Sequence, residues 1–289
     1  MAFIEVSGLA KSFPAGGGPR HVLKDVALSV VYGEFVSIVG VMGSGKSTLL
    51  SLLAGLTSPD AGTIVVGGEP VRGIRHDSAF VFQNYSLLPW FTALENVRLA
   101  VEARFPDKSR TEQRQLATAT LERVGLGNAL NRRPPQLSGG MRQRVAIARA
   151  FATRPKVLFL DEPFGALDAL TRETLQQDLA RLCADGDEPV TTVMITNSVE
   201  EAILLSDRIV PILAGPPATL GTPIPVELTR PRSVAQLAHE EQATHVRANV
   251  ISTLTASMGR ARRHTPAAEG TVAKAAPSAT ALAAAEETR

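Results

Sequence analysis

The stretch Phe35-Val36-Ser37-Ile38-Val39-Gly40-Val41-Met42-Gly43-Ser44-Gly45-Lys46-Ser47-Thr48-Leu49-Leu50 decides the fold class of this chain. Five residues of buried-strand type run into a glycine-rich loop, and the loop runs into a leucine-rich helical segment. Glycines let the backbone curl around phosphate oxygens with its N–H groups pointing inward, and the following helix adds the positive end of its dipole. Gly40, Gly43, Ser44 and Gly45 are therefore expected to form a phosphate cradle. Lys46 is expected to reach the β- and γ-phosphates, Ser47 to ligate Mg2+ and Thr48 to support the phosphates. By itself this loop says only that a nucleoside triphosphate binds.

Outward from the loop, residues 4–6 and 22–30 read as strands around the turn Pro14-Ala15-Gly16-Gly17-Gly18-Pro19, and 63–70 read as a hairpin. Residues 156–160 and 191–196 are further buried-strand runs, and 93–152 are helical in pattern. Strands alternating with helices imply an α/β core with a mostly parallel sheet. Val234, Leu237, Val246, Val250 and Leu254 recur at helical spacing and predict one last helix packed on that core. In residues 260–289 the only large apolar side chains are Val272 and Leu282, and five basic residues stand against three acidic ones, which is the whole +2 net charge. Such a tail is expected to stay disordered, with a marginal Ala-rich helix as the alternative for its last ten residues.

Two more motifs follow the loop in order. Leu137-Ser138-Gly139-Gly140-Met141-Arg142-Gln143-Arg144 opens a helix. Ser138 with two glycines gives an exposed helix N-terminus that suits an anion, or an ordinary cap. Val157-Leu158-Phe159-Leu160-Asp161-Glu162-Pro163 ends a strand in paired acids. Acids at a strand's C-terminal end face the ligand crevice of an open α/β sheet. There Asp161 would hold Mg2+ and Glu162 would polarise the attacking water.

Taken together, the three motifs resemble the ATPase subunit of an ABC transporter over about residues 1–255. That resemblance implies an α/β P-loop core with an antiparallel β subdomain and an inserted helical arm at about 84–152, the whole spanning 1–259. It implies ATP and Mg2+ as ligands. It also implies that Ser138, Gly139 and Gly140 contact the γ-phosphate held by a second ATPase subunit, in a homo- or heterodimer. Gln83 matches the glutamine linking Mg2+ and water to the transport subunit. Asp168, in Ala166-Leu167-Asp168, matches the loop that crosses the dimer. Phe13 matches the aromatic stacked on adenine, with a core aromatic as the alternative. Trp90 reads either as a core aromatic or as part of a groove receiving a coupling helix of an integral membrane permease.

Ser86-Leu87-Leu88-Pro89-Trp90 with Leu94-Glu95-Asn96-Val97 resembles the nitrate/sulfonate/taurine branch of importer ATPases. Ala218-Thr219-Leu220-Gly221 and Leu228-Thr229-Arg230-Pro231-Arg232 most resemble nitrate-type subunits. The implied role is to energise uptake of nitrate or a related small anion, such as nitrite, cyanate or bicarbonate, with sulfonate or taurine as the alternative.

One position departs from the pattern. Asn197-Ser198 stands where the family has His-Asp. Asn keeps an amide donor but cannot become cationic. Losing an oriented donor at a transferring phosphate costs ~10²–10³ in rate in comparable sites. Three readings stay open: a tolerated residue in a slow active site, a subunit paired with a His-bearing ATPase, or a site that binds ATP and hardly turns over.

Composition sets the remaining bounds. The net charge of +2 gives no long-range attraction to nucleic acid, and Cys183, the single cysteine, precludes an intrachain disulfide. No apolar run reaches the ~18–20 residues that span a bilayer, and Met1-Ala2-Phe3-Ile4-Glu5-Val6 lacks a signal-peptide layout. A peripheral place on the cytoplasmic face of the membrane is the expectation. A soluble DNA- or ribosome-associated ABC ATPase would show coiled-coil arms, paired ATPase units or strong basic patches, and none is visible. A non-hydrolysing regulatory module has only Asn197 in its favour.

Overall fold

The computed structural model describes residues 2–16, 18–184 and 189–264. In chain order the strands are β1 (Ala2–Ala15), β2 (Gly18–Val31), β3 (Phe35–Val39), β4 (Ala61–Val66), β5 (Glu69–Pro70), β6 (Ser78–Val81), β7 (Val157–Asp161), β8 (Thr191–Thr196), β9 (Arg208–Leu213), β10 (Thr219–Leu220) and β11 (Ile224–Pro225). The helices are α1 (Lys46–Leu53), α2 (Ala93–Arg104), α3 (Arg110–Arg123), α4 (Gly139–Phe151), α5 (Ala169–Ala184), α6 (Val199–Leu205), α7 (Val234–Leu237) and α8 (Glu241–His264).

β3, β7 and β8 are nearly continuous buried runs because both faces of their sheet are covered. Successive side chains point to opposite faces, and they enter two different cores. Val36, Ile38, Val157, Phe159, Val193 and Ile195 join the leucines of α1 and the inner residues of β1, β2 and β4. Phe35, Val39, Leu158, Leu160 and Met194 join the core built with α2 to α6 and α8. α1 is thus enclosed between the large sheet and an antiparallel sheet of order β2-β1-β4-β5.

The large sheet has the order β10-β9-β3-β8-β7-β6, with β11 on β9. From β9 to β6 the pairings are parallel. β8 therefore sits between β3 and β7, and all three C-terminal ends open on one edge. That edge is where an open parallel sheet carries its site.

Capping boxes at Thr92/Glu95 and Ser109/Glu112 set the starts of α2 and α3. These helices pack on α4, and α4 also touches β6 and α5. The single last helix expected from 234–254 is instead two, α7 and α8. Ser233 and Gln236 close α7 with their own capping box, and α8 restarts along β9 and α6. An apolar period carried across 238–240 cannot reveal that turn. Leu237, Val246 and Val250 are buried as expected, whereas Val234 is exposed. α8 runs to His264, past the expected boundary at 259, and the rest of the expected tail lies outside the described residues.

Candidate functional site

The glycine loop carries its chemistry in its backbone. Gly43 and Gly45 have φ of 77° and 90°, a region that β-carbons disfavour. A Cβ on Gly45 would also stand 3.0 Å from Val22 Cγ1. The buried Ser44 Oγ has no hydrogen-bond partner, an orphan of the kind that an anionic ligand satisfies.

Lys46 is 4% exposed. Its Nζ donates to Gly40 O at 3.0 Å, to Val41 O at 2.9 Å and to Asn197 Oδ1 at 2.7 Å. Burial lowers its pKa, opposed by the nearby charges of Glu162 and Asp161. Ser47 Oγ donates to Asp161 Oδ1 at 3.2 Å. Burial raises the Asp161 pKa against that hydrogen bond, and the charge of Glu162 adds to the rise while that of Lys46 opposes it. A divalent cation beside Asp161 would reverse this balance. Among the described residues no group of three or more His, Cys, Asp or Glu could hold a metal unaided. The Asp161–Ser47 pair therefore suits an ion whose other ligands come from a triphosphate and water.

Asn197 links the two ends of the site. Its Nδ2 donates to Glu162 Oε1 at 2.7 Å while its Oδ1 accepts from Lys46. The amide thus stands between the cation of the loop and the carboxylate just after β7, with Lys46 Nζ 3.8 Å from Glu162 Oε1. Gln83 Nε2 donates to Glu162 Oε2 at 3.4 Å. Glu162 has φ 42°, a costly conformation for a side chain with a Cβ. It is held by its N–H donating to Ile195 O at 3.0 Å and by buried Pro163 and Phe164.

The loop carrying Asn197 is fixed by a lock that the sequence pattern hid. Ser198-Val199-Glu200-Glu201 has the spacing of a capping box, and Ser198 Oγ accepts from Glu201 N. Glu201's carboxylate turns elsewhere and accepts from Thr196 Oγ1 at 2.6 Å, while Thr196 Oγ1 accepts from Ser198 N at 3.0 Å. Burial raises the Glu201 pKa, against its bond to Thr196. Only the S-x-x-E spacing hinted at this in the sequence.

Lys46, Ser47, Asp161, Glu162, Gln83 and Asn197 thus converge. Ser138, Gly139, Gly140, Asp168 and Phe13 stand apart from them and have other partners. Ser138 Oγ caps α4 through Met141 N at 3.2 Å. Gly140 lies against Thr171, where an added Cβ would stand 2.4 Å from its Cγ2. Asp168 is exposed and accepts from Thr171 N at 3.0 Å, which holds its pKa down. Phe13 is 41% exposed with Lys11 Nζ 5.5 Å from its ring centre, and Trp90 is 63% exposed. Neither is the core aromatic that the sequence left open. Met42 and Leu170 are also exposed, at 87% and 79%.

Fold and site together define a P-loop α/β protein whose loop, acidic strand end and amide face one crevice. A family model described as ABC transporter matches residues 23–165. The chain is 44% identical over 252 residues to the nitrate import ATP-binding protein NrtD of Synechococcus elongatus, covering 87% of this chain and 91% of that one. It is 45% identical to the nitrate transport protein NasD of Klebsiella oxytoca, covering 86% and 94%. It is 46% identical to the bicarbonate transport ATP-binding protein CmpC of Synechococcus elongatus, covering 86% of this chain but spanning only 37% of that relative. A solved dimeric ATP-binding cassette, bound to ADP and Pi in a post-hydrolysis state, superposes with a TM-score of 0.70 at 33% identity, covering 78% of this chain and all of that one. The chain belongs to the ATP-binding proteins of the ABC transporter family.

Proposed function

We propose that this chain binds and hydrolyses Mg-ATP as the ATPase subunit of an importer for nitrate or a related small anion, acting on separate membrane subunits. The observation that carries the reading is the Lys46–Asn197–Glu162 chain beside the Ser47–Asp161 pair. Lys46 and the loop N–H groups would hold the phosphates. Ser47 and Asp161, with Gln83, would hold Mg2+, which when bound spreads the charge of the β- and γ-phosphates. Glu162 would orient the attacking water and take up its proton. Asn197 would keep the Glu162 carboxylate aimed while offering its amide to the γ-phosphate.

A second subunit completes the site. α4 packs on the arm, β6 and α5, whereas α1 packs on β7 and β8. This separation supports Ser138, Gly139 and Gly140 serving the nucleotide of a partner, with Asp168 at the crossing and Phe13 beneath adenine. The dimeric form of the solved cassette at 33% identity supports the same arrangement. Among the described residues no helix is long and apolar enough to cross a membrane, so a peripheral position would depend on permease subunits. The exposed Trp90 would be part of their seat. The nitrate names of the relatives at 44% and 45% identity support the substrate class, and CmpC supports bicarbonate as its variant.

Steady-state hydrolysis by the purified chain tests the catalytic part. Wild type should turn over well above Glu162→Gln, and Glu162→Gln should accumulate an ATP-bound dimer by size-exclusion chromatography. Wild type equal to Glu162→Gln, with turnover restored in Asn197→His, would instead point to a degenerate site paired with another ATPase subunit. Uptake of labelled nitrate, bicarbonate and taurine by cells carrying Lys46→Ala tests the substrate.

A further inference from the structure

The segment after Gln83 is held in a disfavoured backbone by the helix that carries the signature motif. Tyr85 and Ser86 have φ of 64° and 47°, and consecutive non-glycine residues in this region need outside support. Local bonds supply a little of it: Tyr85 N donates to Phe82 O, and Ser86 N donates to Asn84 O.

Further support comes from α4. Arg149 Nη1 donates to Ser86 O at 2.6 Å and Nη2 to Tyr85 O at 2.9 Å. Higher on the same helix, the Arg142 guanidinium lies 5.6 Å from the centre of the Tyr85 ring. The Tyr85 hydroxyl lies 3.6 Å from the place a Gly139 Cβ would take. The helix therefore grips this loop from its signature end to its last turn.

Arg149 is an expensive way to hold a loop. Burial lowers its pKa, and among the described residues no acidic neighbour offsets that. Both hydrogen bonds that it makes among the described residues go to carbonyls of the two left-handed residues. An apolar side chain would fill the space without desolvating a charge. What the guanidinium adds is direction, two fixed donors on two adjacent carbonyls. The position so fixed matters because the Gln83 bond to Glu162, at 3.4 Å, is long. A small shift of the loop makes it or breaks it.

We propose that Arg149 is a positioning residue that ties Gln83 to the signature helix, so that engagement of Ser138, Gly139 and Gly140 by a partner's nucleotide is felt at Gln83. The inference rests on the function proposed above, and it concerns coupling rather than nucleotide binding. Arg149 touches no reacting atom.

The test is a double-mutant cycle in the full chain: Arg149→Ala, Gln83→Ala and both together, with Arg149→Lys as the conservative variant. Arg149→Ala should lower kcat ~10-fold, within what small misplacement of a catalytic group costs. ATP affinity, read by displacing a fluorescent ATP analogue, should stay within about twofold. The Mg2+ concentration for half-maximal rate should rise. In the Gln83→Ala background Arg149→Ala should cost nothing more. Losses that multiply, or an affinity loss matching the kcat loss, would overturn the proposal. Should Arg149→Ala not fold, Arg149→Lys carries the same cycle, with a smaller loss expected.

A second readout does not need turnover. Trp90 is the only tryptophan and follows this loop. Mg-ATP should change its acrylamide quenching in wild type and not in Arg149→Ala, although both bind the analogue. A wild type without the change, or an Arg149→Ala that keeps it in full, overturns the coupling. If wild type hydrolyses no faster than Glu162→Gln, the catalytic reading fails and Trp90 alone decides the coupling.

Discussion

Replacing Asn197 with Ala removes the one side chain among the described residues that hydrogen-bonds both Lys46 and Glu162. Lys46 keeps Gly40 O and Val41 O, so the glycine loop should hold its shape and ATP affinity should change little. The Glu162 carboxylate loses its shortest hydrogen bond, 2.7 Å to Asn197 Nδ2, and among the described residues keeps the 3.4 Å contact to Gln83 and the 3.8 Å approach of Lys46. A hydrogen bond to a charged group contributes about 1.5–3 kcal/mol. At about 1.4 kcal/mol per tenfold in rate, full use of that bond in the transition state is worth roughly 10- to 100-fold in kcat. Asn197→Asp sharpens the prediction because the shape is kept and the sign reversed. It deletes the donor and sets a carboxylate against the Glu162 carboxylate, so its loss should exceed that of Asn197→Ala. Asn197→His keeps a donor and an acceptor and should stay within ~10-fold of wild type. The assay is steady-state phosphate release at saturating Mg-ATP, with analogue binding and melting temperature as controls. An Asn197→Ala chain with wild-type kcat, or an Asn197→Asp chain faster than Asn197→Ala, would refute the view that this amide aims Glu162.

Lys46→Ala takes its donor from Gly40 O and from the Asn197 oxygen, leaves Val41 O only the Ser44 N–H at 3.3 Å, and would remove the cation assigned to the phosphates. ATP affinity should fall at least ~10-fold (about 1.4 kcal/mol), and unchanged analogue binding would contradict the assignment of the loop. Gly140→Ala would place a Cβ 2.4 Å from Thr171 Cγ2. It should lower the melting temperature, and Thr171→Ser, which deletes that methyl group, should recover most of the drop. Recovery of hydrolysis as well would show that the signature does not need a bare backbone at Gly140. Arg75 donates Nε and Nη2 to the two oxygens of Asp77, at 2.9 Å each, and this hydrogen bonding holds Asp77's pKa below its usual value. The stabilisation is therefore present above the unfolded value of about 3.9 and lost as pH falls through the lower folded value. Arg75→Ala should melt earlier than wild type at pH 7, with the gap closing toward pH 3. A gap independent of pH would mean that Arg75 acts by packing alone.

Much of the fold was legible because each element obeys a local rule. β3 with its glycine loop and α1 is a strand, a turn that requires left-handed glycines, and an amphipathic start. β7 and β8 are buried runs of strand length, and the hairpin of β4 and β5 has glycines at its turn. The placing of Asp161 and Glu162 at the end of such a strand was readable as well. The break between α7 and α8 was not, since the turn residues carry no helix-breaking signal. The lock of Glu201 on Thr196 was not, because the same spacing serves a capping box. Arg149's partners were not, since they are backbone carbonyls of residues 63 and 64 positions away.

The sequence alone determined the class of site: glycines that only a backbone cradle explains, a lysine and serine at the helix start, and two acids at a strand end. These are contacts between near neighbours, and local spacing encodes them. The tertiary structure decided what Asn197 does. In sequence it is a departure at the end of a distant strand. In the folded sheet β8 lies between β3 and β7, so that departure lands between Lys46 and Glu162 and hydrogen-bonds both. Strand order is fixed by which apolar faces the two cores bury, a property of the whole chain. For that reason no local pattern around Asn197 could state its role.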